Sequence, residues 1–150
     1  MRLTLDANVL VYTLNEDDRR HPQAVMLLKR AATADCVQPM QTFGEFFHVV
    51  TRKYRCPAGD AVAAIRRFRD LVDVAVAEKD DFDEALRTVT AHRLQFWDAL
   101  ILATVRRAGS SILFTEDMND GQTVDGVRIV NPFVEANRDL VDLILLPAKA

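Results

Sequence analysis

Short apolar runs alternate along the chain with longer stretches whose hydrophobic residues recur at helical spacing. The short runs predict strands at Leu3–Leu5, Cys36–Gln38, Val72–Val76, Ser111–Thr115 and Val127–Val130. The longer stretches predict helices at His21–Ala32, Thr42–Tyr54, Asp60–Leu71, Phe82–His92, Phe96–Ala108 and Val134–Leu140. Strands separated by helices indicate βαβ units, so we expect an α/β fold with a short, mostly parallel sheet flanked by helices on both faces.

A few residues predict where these elements begin and end. Asp80 or Asp81 is expected to cap the helix Phe82–His92, because an aspartate can accept the free N–H groups of a first turn. Gly109 stands where a helix can end in a left-handed residue. The segment Glu116–Gly126 is polar and rich in turn formers, which predicts a loop.

The size and composition are those of one globular domain. The chain has 150 residues, of which 49% are hydrophobic and 27% are charged, so we expect a single domain over residues 1–150. Its two cysteines, Cys36 and Cys56, form no metal or redox motif and are expected to be reduced thiols. The sequence shows neither a signal peptide nor an apolar run long enough to cross a membrane, so we expect a cytoplasmic protein.

The net charge of −3 does not by itself decide whether the protein binds nucleic acid. A dedicated nucleic-acid-binding module usually carries a large positive excess. The arginines and lysines are clustered, however, at Arg52, Lys53 and Arg55, at Arg66, Arg67 and Arg69, and at Arg106 and Arg107. An acidic site surrounded by basic patches gives the same total, so the net charge does not exclude a nucleic-acid substrate.

Two aspartates directly follow predicted strands. Asp6 comes after Leu3–Leu5, and Asp117 comes shortly after the apolar residues of Ser111–Thr115. Ligands of parallel sheets bind beyond the carboxyl ends of the strands. The two carboxylates therefore meet at one point if their strands are neighbours in the sheet.

Two further acids fall on apolar helical faces. Asp98 shares a stripe with Leu94, Trp97, Ile101, Leu102 and Val105. Glu45 lies one turn before Val49 and is surrounded by phenylalanines. A carboxylate in such a position is costly unless it is paired, hydrogen-bonded or bound to a metal. A divalent cation with hard oxygen ligands, Mg²⁺ or Mn²⁺, could neutralise all four acids and activate a water towards phosphorus.

Four segments in order resemble the successive motifs of PIN-domain nucleases, and in particular the VapC-type toxins of bacterial toxin–antitoxin pairs. They are Asp6-Ala7-Asn8-Val9-Leu10, the helical Glu45, Phe96-Trp97-Asp98-Ala99-Leu100-Ile101 and Phe114-Thr115-Glu116-Asp117, and Asn131-Pro132-Phe133 also resembles one branch of the family. The resemblance implies a three-layer domain and an endoribonuclease dependent on Mg²⁺ or Mn²⁺. It also implies a homodimer and a cognate antitoxin that covers the active-site groove.

By position, the resemblance implies a catalytic quartet of Asp6, Glu45, Asp98 and Asp117, with Asp6, Asp98 and Asp117 as metal ligands. Asn8 and Thr115 match the family's polar supporting positions. The fourth acid is open among Glu116, Asp117 and Asp120, and we favour Asp117, with Asp120 as a supporting residue. Arg52, Arg55 and Arg69 are expected to contact the phosphates of the RNA.

Each acid also has a structural interpretation. Asp6 could cap a helix, and Asp117 and Asp120 could be turn residues beside a glycine. Asp98 could be satisfied by backbone N–H groups or an arginine, and Glu45 could be a solvated helix residue. The aromatic residues Phe43, Phe46, Phe47 and Trp97 could stack on bases, but their spacing favours the core or a subunit interface.

Two other functions remain as alternatives. A haloacid-dehalogenase-like phosphatase also begins with an aspartate after its first strand, but it needs a second acid two residues later, where this chain has Asn8. A non-catalytic domain could use the acidic cluster, with or without a metal, only to bind a partner. Metal titration followed by an RNA cleavage assay distinguishes the binding domain from the nuclease.

Overall fold

The strands and helices alternate as an α/β domain in this computed structural model, which describes residues 1–147. The strands are β1 Leu3–Leu5, β2 Val37–Pro39, β3 Asp73–Ala75, β4 Ile112–Phe114, β5 Thr123–Val124 and β6 Val127–Val130. The helices are α1 Ala7–Tyr12, α2 His21–Ala31, α3 Met40–Arg52, α4 Ala58–Leu71, α5 Lys79–His92, α6 Phe96–Arg107 and α7 Arg138–Ile144, with a 3₁₀ turn at Glu135–Asn137. The predicted domain, 1–150, includes residues 148–150, which lie outside the described part.

The sheet is short and mostly parallel. Four strands pair in the order β1-β4-β6-β5, and only the β5–β6 pair is antiparallel. β2 and β3 pair in parallel as a second ladder, which a single bridge between Leu3 and Cys36 joins to the edge of β1. β1 and β4 are direct neighbours, with Leu5 opposite Phe114, so the residues that follow these two strands emerge side by side.

Helices cover both faces of this sheet, as the apolar alternation along β4 shows. Ile112 and Phe114 pack on one side, in the core that also holds buried residues of α1 to α4 and α7. Leu113 points to the other side and packs in a cluster with α6 and β6. The predicted α/β class, with a mostly parallel sheet between two helical layers, is confirmed.

The buried side chain of Gln38 bonds to the backbone of Leu5 in the way that a neighbouring strand would. The side chain of Gln38 accepts from the backbone N–H of Leu5 at 2.8 Å and donates to the C=O of Leu5 at 2.8 Å. The same amide donates to the hydroxyl of Thr42 in the first turn of α3 at 3.1 Å. Gln38 therefore ties the end of β1 to the start of α3, the two elements that carry Asp6 and Glu45.

Most element boundaries agree with the prediction to within a few residues. Gly109 has a φ of 88°, which confirms the left-handed residue beyond α6. The cap of α5 was predicted wrongly: α5 begins at Lys79, and Glu78 and Asp81 form a reciprocal capping box. The predicted loop Glu116–Gly126 also contains β5, a two-residue strand too short to be detected by alternation.

No helix within residues 1–147 is both long and apolar enough to cross a membrane.

Candidate active site

Asp6 lies at the carboxyl end of β1 and is held by two donors. Its Oδ1 accepts from the backbone N–H of Ala7 at 2.7 Å, so Asp6 also caps the short helix α1. Its Oδ2 accepts from the hydroxyl of Thr115, just beyond β4, at 2.8 Å. The pairing of β1 with β4 produces this contact between two residues that are more than one hundred positions apart.

Asp117 meets Asp6 through Thr115 and Asn8. The backbone N–H of Asp117 donates to the hydroxyl of Thr115 at 3.1 Å, and the side-chain amide of Asn8 donates to Oδ2 of Asp117 at 2.5 Å. Asn8 lies in the first turn of α1, directly after the Asp6 cap. The two positions expected to support the carboxylates, Asn8 and Thr115, thus contact Asp117 and Asp6 directly.

Glu45 approaches the same region from the middle of α3. Its Oε1 accepts from the side-chain amide of Gln41, one turn earlier, at 2.7 Å. The Gln41 amide also lies 3.3 Å from the backbone oxygen of Trp97, at the start of α6. Gln41 therefore connects the Glu45 helix to the helix that carries Asp98.

Asp98 lies in the first turn of α6 and opens onto solvent. It lines a cavity of about 450 Å³ together with Asp117, Asn119, Arg93 and the segment between α5 and α6. The apolar stripe that contains Asp98 is buried from Ala99 onward, whereas Asp98 itself is only partly buried. Asp98 thus lies near the exposed start of this stripe, where it lines the cavity.

The four carboxylates lie within electrostatic reach of one another. The pKa of Asp6 is raised from 3.8 to about 7, mainly by burial. The charges of Asp117 and Glu45 add to this effect, and the hydrogen bonds from Thr115 and Ala7 oppose it. Burial also raises the pKa of Glu45, and Asp98 and Asp117 add to that effect. The pKa of Asp98 is raised by burial and then by Asp117. The site therefore collects negative charge that lacks compensation.

No lysine or arginine within residues 1–147 forms an ion pair with Asp6, Glu45, Asp98 or Asp117. In the same range, no three acidic, histidine or cysteine side chains stand close enough together to cage a metal. Mg²⁺ keeps several waters and often uses only one or two carboxylates, so the donor set fits such an ion without a preformed cage.

Glu116, one of the open candidates for the fourth acid, points away from the other carboxylates. Nη1 of Arg20 donates to both of its oxygens at 2.9 and 2.8 Å, and the hydroxyl of Tyr12 also donates to it. The Arg20 guanidinium lies over the Tyr12 ring at 3.9 Å. The carboxylate of Glu116 is thus held by contacts near the end of α1, whereas Asp117, the next residue, contacts Asn8.

Asp120 binds to the last part of the described chain. It accepts from the backbone N–H of Asn131 at 2.8 Å and from the side-chain amide of Asn137 at 2.9 Å. These contacts close the turn after β4 against the segment after β6.

The three arginines expected to bind RNA are all exposed. Arg52 ends α3, two turns from Glu45 and on the same side of the helix. Neither Arg55 nor Arg69 lines the cavities that contain Glu45, Asp98 and Asp117. Arg52 does not line these cavities either, but it is the one of the three on the same helix as Glu45.

Two residues beside the carboxylates, Gln41 and Arg93, were not predicted from the sequence. Gln41 could have been found, because it lies four residues before Glu45 and so on the same helical face. Arg93 gave no such signal. It ends α5 in a left-handed conformation, with a φ of 55°, and this turn of the chain brings it beside Asp98 and Asp117.

Several solved structures share this fold. VapC20 of Mycobacterium tuberculosis, a toxin that cleaves the sarcin–ricin loop, matches with a TM-score of 0.64 and 25% identity, over 77% of this chain and 91% of that toxin. A toxin–antitoxin complex from Klebsiella pneumoniae gives 0.62 and 21%, over 87% and 98% of the two chains. VapBC2 of Rickettsia felis, bound to a DNA fragment from its promoter, gives 0.63 and 13%, over 86% and 97%.

The sequence itself carries the family signature, although no curated protein matches the chain. A family profile for the PIN domain matches residues 3–119, well over half of the chain. This match begins at β1 and includes all four carboxylates of the cluster. The chain therefore belongs to the PIN domain family.

Proposed function

We propose that this protein is a Mg²⁺- or Mn²⁺-dependent endoribonuclease that acts as the toxin of a toxin–antitoxin pair in the cytoplasm. The observation that supports this most is the charge coupling of Asp117 to Asp6, Glu45 and Asp98, none of which forms an ion pair with a basic residue in the described part of the chain. Clustered carboxylates with raised pKa values are typical of a site that binds a cation. VapC20, which shares the fold, cleaves the RNA of the sarcin–ricin loop.

In this proposal Asp6 and Asp98 bind the metal, with Asp117 as a further ligand. When bound, the cation supplies positive charge that polarises the scissile phosphate and lowers the pKa of the attacking water. Thr115 keeps Asp6 oriented, and Asn8 does the same for Asp117.

The remaining residues act on the substrate. Glu45, held by Gln41, orients the attacking water together with Asp117. Arg52 and Arg93 contact phosphates on either side of the scissile bond, and such contacts position a nucleic acid without reading its sequence. Contacts of Arg55 and Arg69 with phosphates farther along the RNA stay a prediction.

Two protein partners complete the proposal. A cognate antitoxin is supported by the fold shared with two toxin–antitoxin complexes, and it predicts a small reading frame beside the gene. A second copy of the chain is supported by exposed apolar side chains at Val76, Phe82 and Leu86, which a subunit contact would bury. Light scattering of the purified protein tests the dimer.

The decisive experiment is incubation of the pure protein with total RNA, with Mg²⁺, with Mn²⁺ or with EDTA, followed by mapping of new 5′ ends. We expect discrete new ends that carry a 5′-phosphate and that need the metal. Asp98→Asn is expected to abolish them while circular dichroism shows an unchanged fold. Asp139→Asn, on the exposed side of α7, is the matched control and should cleave as the wild type does.

Equal cleavage by Asp98→Asn and the wild type in excess Mg²⁺ would refute the site. Metal binding without any turnover of RNA would instead favour the alternative, a non-catalytic domain that binds a partner through its acidic cluster. The phosphatase alternative loses support because Asn8, at the position of the required second acid, donates its amide to Asp117.

A further inference from the structure

Trp97 presents its indole to solvent beside the carboxylates. The spacing favoured a buried or interface position, but the side chain is 63% exposed. Of the two positions that the spacing favoured for Trp97, the core is therefore excluded and a subunit interface stays a prediction, whereas Phe43 and Phe46 are buried in the core as expected. Trp97 is the second residue of α6, and the buried residues of this helix begin only at Ala99.

The indole forms one wall of an apolar cavity of about 560 Å³. The other walls are Gln41, Gly44, Glu45, His48 and Val49, all on α3. Phe96 supports the indole from behind, with ring centroids 5.1 Å apart and planes at 71°. A rigid aromatic surface thus stands directly next to one catalytic carboxylate, Glu45, and one residue before another, Asp98.

Gly44 keeps the floor of this cavity open. A Cβ at this position would meet no atom within 4 Å apart from the helix itself. Glycine inside a helix is destabilising relative to alanine, and no positive φ requires it here. The fold therefore does not need the glycine, and what Gly44 provides is free space in front of the indole.

The two sides of the carboxylates differ in chemistry. On the far side, the cavity beside Asp98 and Asp117 is lined mostly by polar residues, among them Arg93. On the near side, the surface is the indole and aliphatic groups of α3. A strand of RNA offers both chemistries, because an anionic phosphate suits an arginine and a base offers a flat π surface.

We propose that Trp97 and the open space over Gly44 form a subsite that stacks one unpaired base of a single-stranded RNA next to the scissile phosphate. This inference rests on the proposed nuclease function, and it adds that the base next to the scissile phosphate is unpaired and stacks on Trp97. A stacked base is available only where the RNA is unpaired, such as a loop or a bulge. The subsite accepts any base, because every base has a π face.

The test uses the fluorescence of Trp97, which is the only tryptophan of the chain. The full-length protein with Asp6→Asn, which we expect not to cleave, is titrated in Mg²⁺ with a single-stranded oligoribonucleotide of mixed sequence. We expect saturable quenching of the emission. The same RNA annealed to its complement should quench much less.

Variants separate stacking from folding. Measured by anisotropy of labelled RNA, Trp97→Ala should bind roughly 5- to 100-fold more weakly, as expected for loss of one base–aromatic stack, and Trp97→Phe should largely restore binding. Gly44→Leu fills the cavity without altering the indole and should weaken binding similarly. The matched controls are Gly59→Leu, an equally open glycine on α4, and Leu143→Ala, an equally exposed apolar residue on α7.

Unchanged RNA affinity in both Trp97→Ala and Gly44→Leu would overturn the subsite. A dimer that dissociates in Trp97→Ala, with emission insensitive to RNA, would also overturn it and assign the indole to a subunit contact. The two proposals fail in distinguishable ways. Metal-dependent cleavage with an unchanged KM in Trp97→Ala removes the subsite alone, whereas quenching by RNA without cleavage in the wild type removes the nuclease.

Discussion

Arg20 and Glu116 form a two-point ion pair across ninety-six residues of sequence, with Nη1 at 2.9 and 2.8 Å from the two carboxylate oxygens. Asp18 holds the other side of the guanidinium, with Nε and Nη2 each 2.9 Å from its oxygens. The Tyr12 ring covers the guanidinium, and its hydroxyl donates to Glu116. Because Glu116 is fixed towards α1, the backbone turns Asp117 towards Asn8 and the other carboxylates.

Arg20→Gln is expected to destabilise the protein and to lower its activity. Glu116 would keep a partly buried charge without its cation, which should cost about 1–3 kcal/mol of unfolding free energy. The loop that positions Asp117 would also loosen, so kcat should fall and the Mg²⁺ requirement should rise. Urea denaturation and cleavage at several Mg²⁺ concentrations measure the two effects.

The control for this change is Arg138→Gln, which removes an exposed ion pair with Glu135. Exposed pairs contribute about 0–1 kcal/mol, so neither stability nor activity should change much. If Arg20→Gln behaves like this control, the pair does not position Asp117.

Asn8→Ala tests the support of Asp117 directly. Loss of the amide donor frees the carboxylate to rotate, and loss of such a supporting partner typically costs about 10- to 100-fold in metal affinity or activity. We expect a higher Mg²⁺ concentration for half-maximal cleavage and little change in thermal stability. The same metal requirement as the wild type would show that the Asn8 contact is dispensable.

Asp6→Asn should stabilise the protein in EDTA at pH 8. Asp6 has a folded-state pKa raised to about 7, above its ordinary 3.8. The protonated Asp6 therefore adds its full contribution to the free energy of unfolding below about pH 4, and this contribution is lost as the pH rises through about 7. Above pH 7 the wild type should be less stable than Asp6→Asn by about 1–3 kcal/mol, less than the full pKa shift implies because the side chain keeps some contact with water.

The measurement is the free energy of unfolding of both proteins from pH 4 to pH 8. The difference between them should shrink towards pH 4, and added Mg²⁺ should stabilise the wild type more than the variant. Asp17→Asn, at an exposed position, is the control and should change the free energy of unfolding at pH 8 by little. A constant difference across this pH range would contradict the raised pKa.

Gln38→Leu should be strongly destabilising although leucine is apolar and of similar size. The buried N–H and C=O of Leu5 would both lose their partner, and each unsatisfied group costs about 1–3 kcal/mol. Denaturation in urea should show a loss of about 2–5 kcal/mol. Gln95→Leu, at an exposed position before α6, is the comparison and should be nearly neutral.

Local patterns in the sequence were sufficient for the secondary structure and for the acidic candidates. Helical periodicity located α2 to α6, because burial of one helix face repeats along the chain. Asp98 was conspicuous for the same reason, as a charge within an apolar stripe. Asp6 was conspicuous because it follows a short apolar strand. These signals depend only on neighbours in sequence.

Contacts between distant residues were not accessible in this way. Nothing near Glu116 indicates Arg20, and nothing near Arg93 indicates Asp117, because each of these residues meets the other only after the strands and helices have packed. The choice of Asp117 over Glu116 could not be made from two adjacent acids. The structure separates them: Glu116 contacts Tyr12 at the end of α1 and Arg20 just before α2, whereas Asp117 contacts Asn8 in the first turn of α1.

The sequence alone therefore determined the order of the elements, the α/β class and which carboxylates deserved a test, since each of these is recorded in local periodicity. Only the tertiary structure decided that β1 and β4 are neighbours, that Glu116 pairs with Arg20, and that Trp97 lies outside the core. The physical reason is that burial and charge at a position depend on what packs against it. For this chain, those neighbours come from segments up to about one hundred residues away.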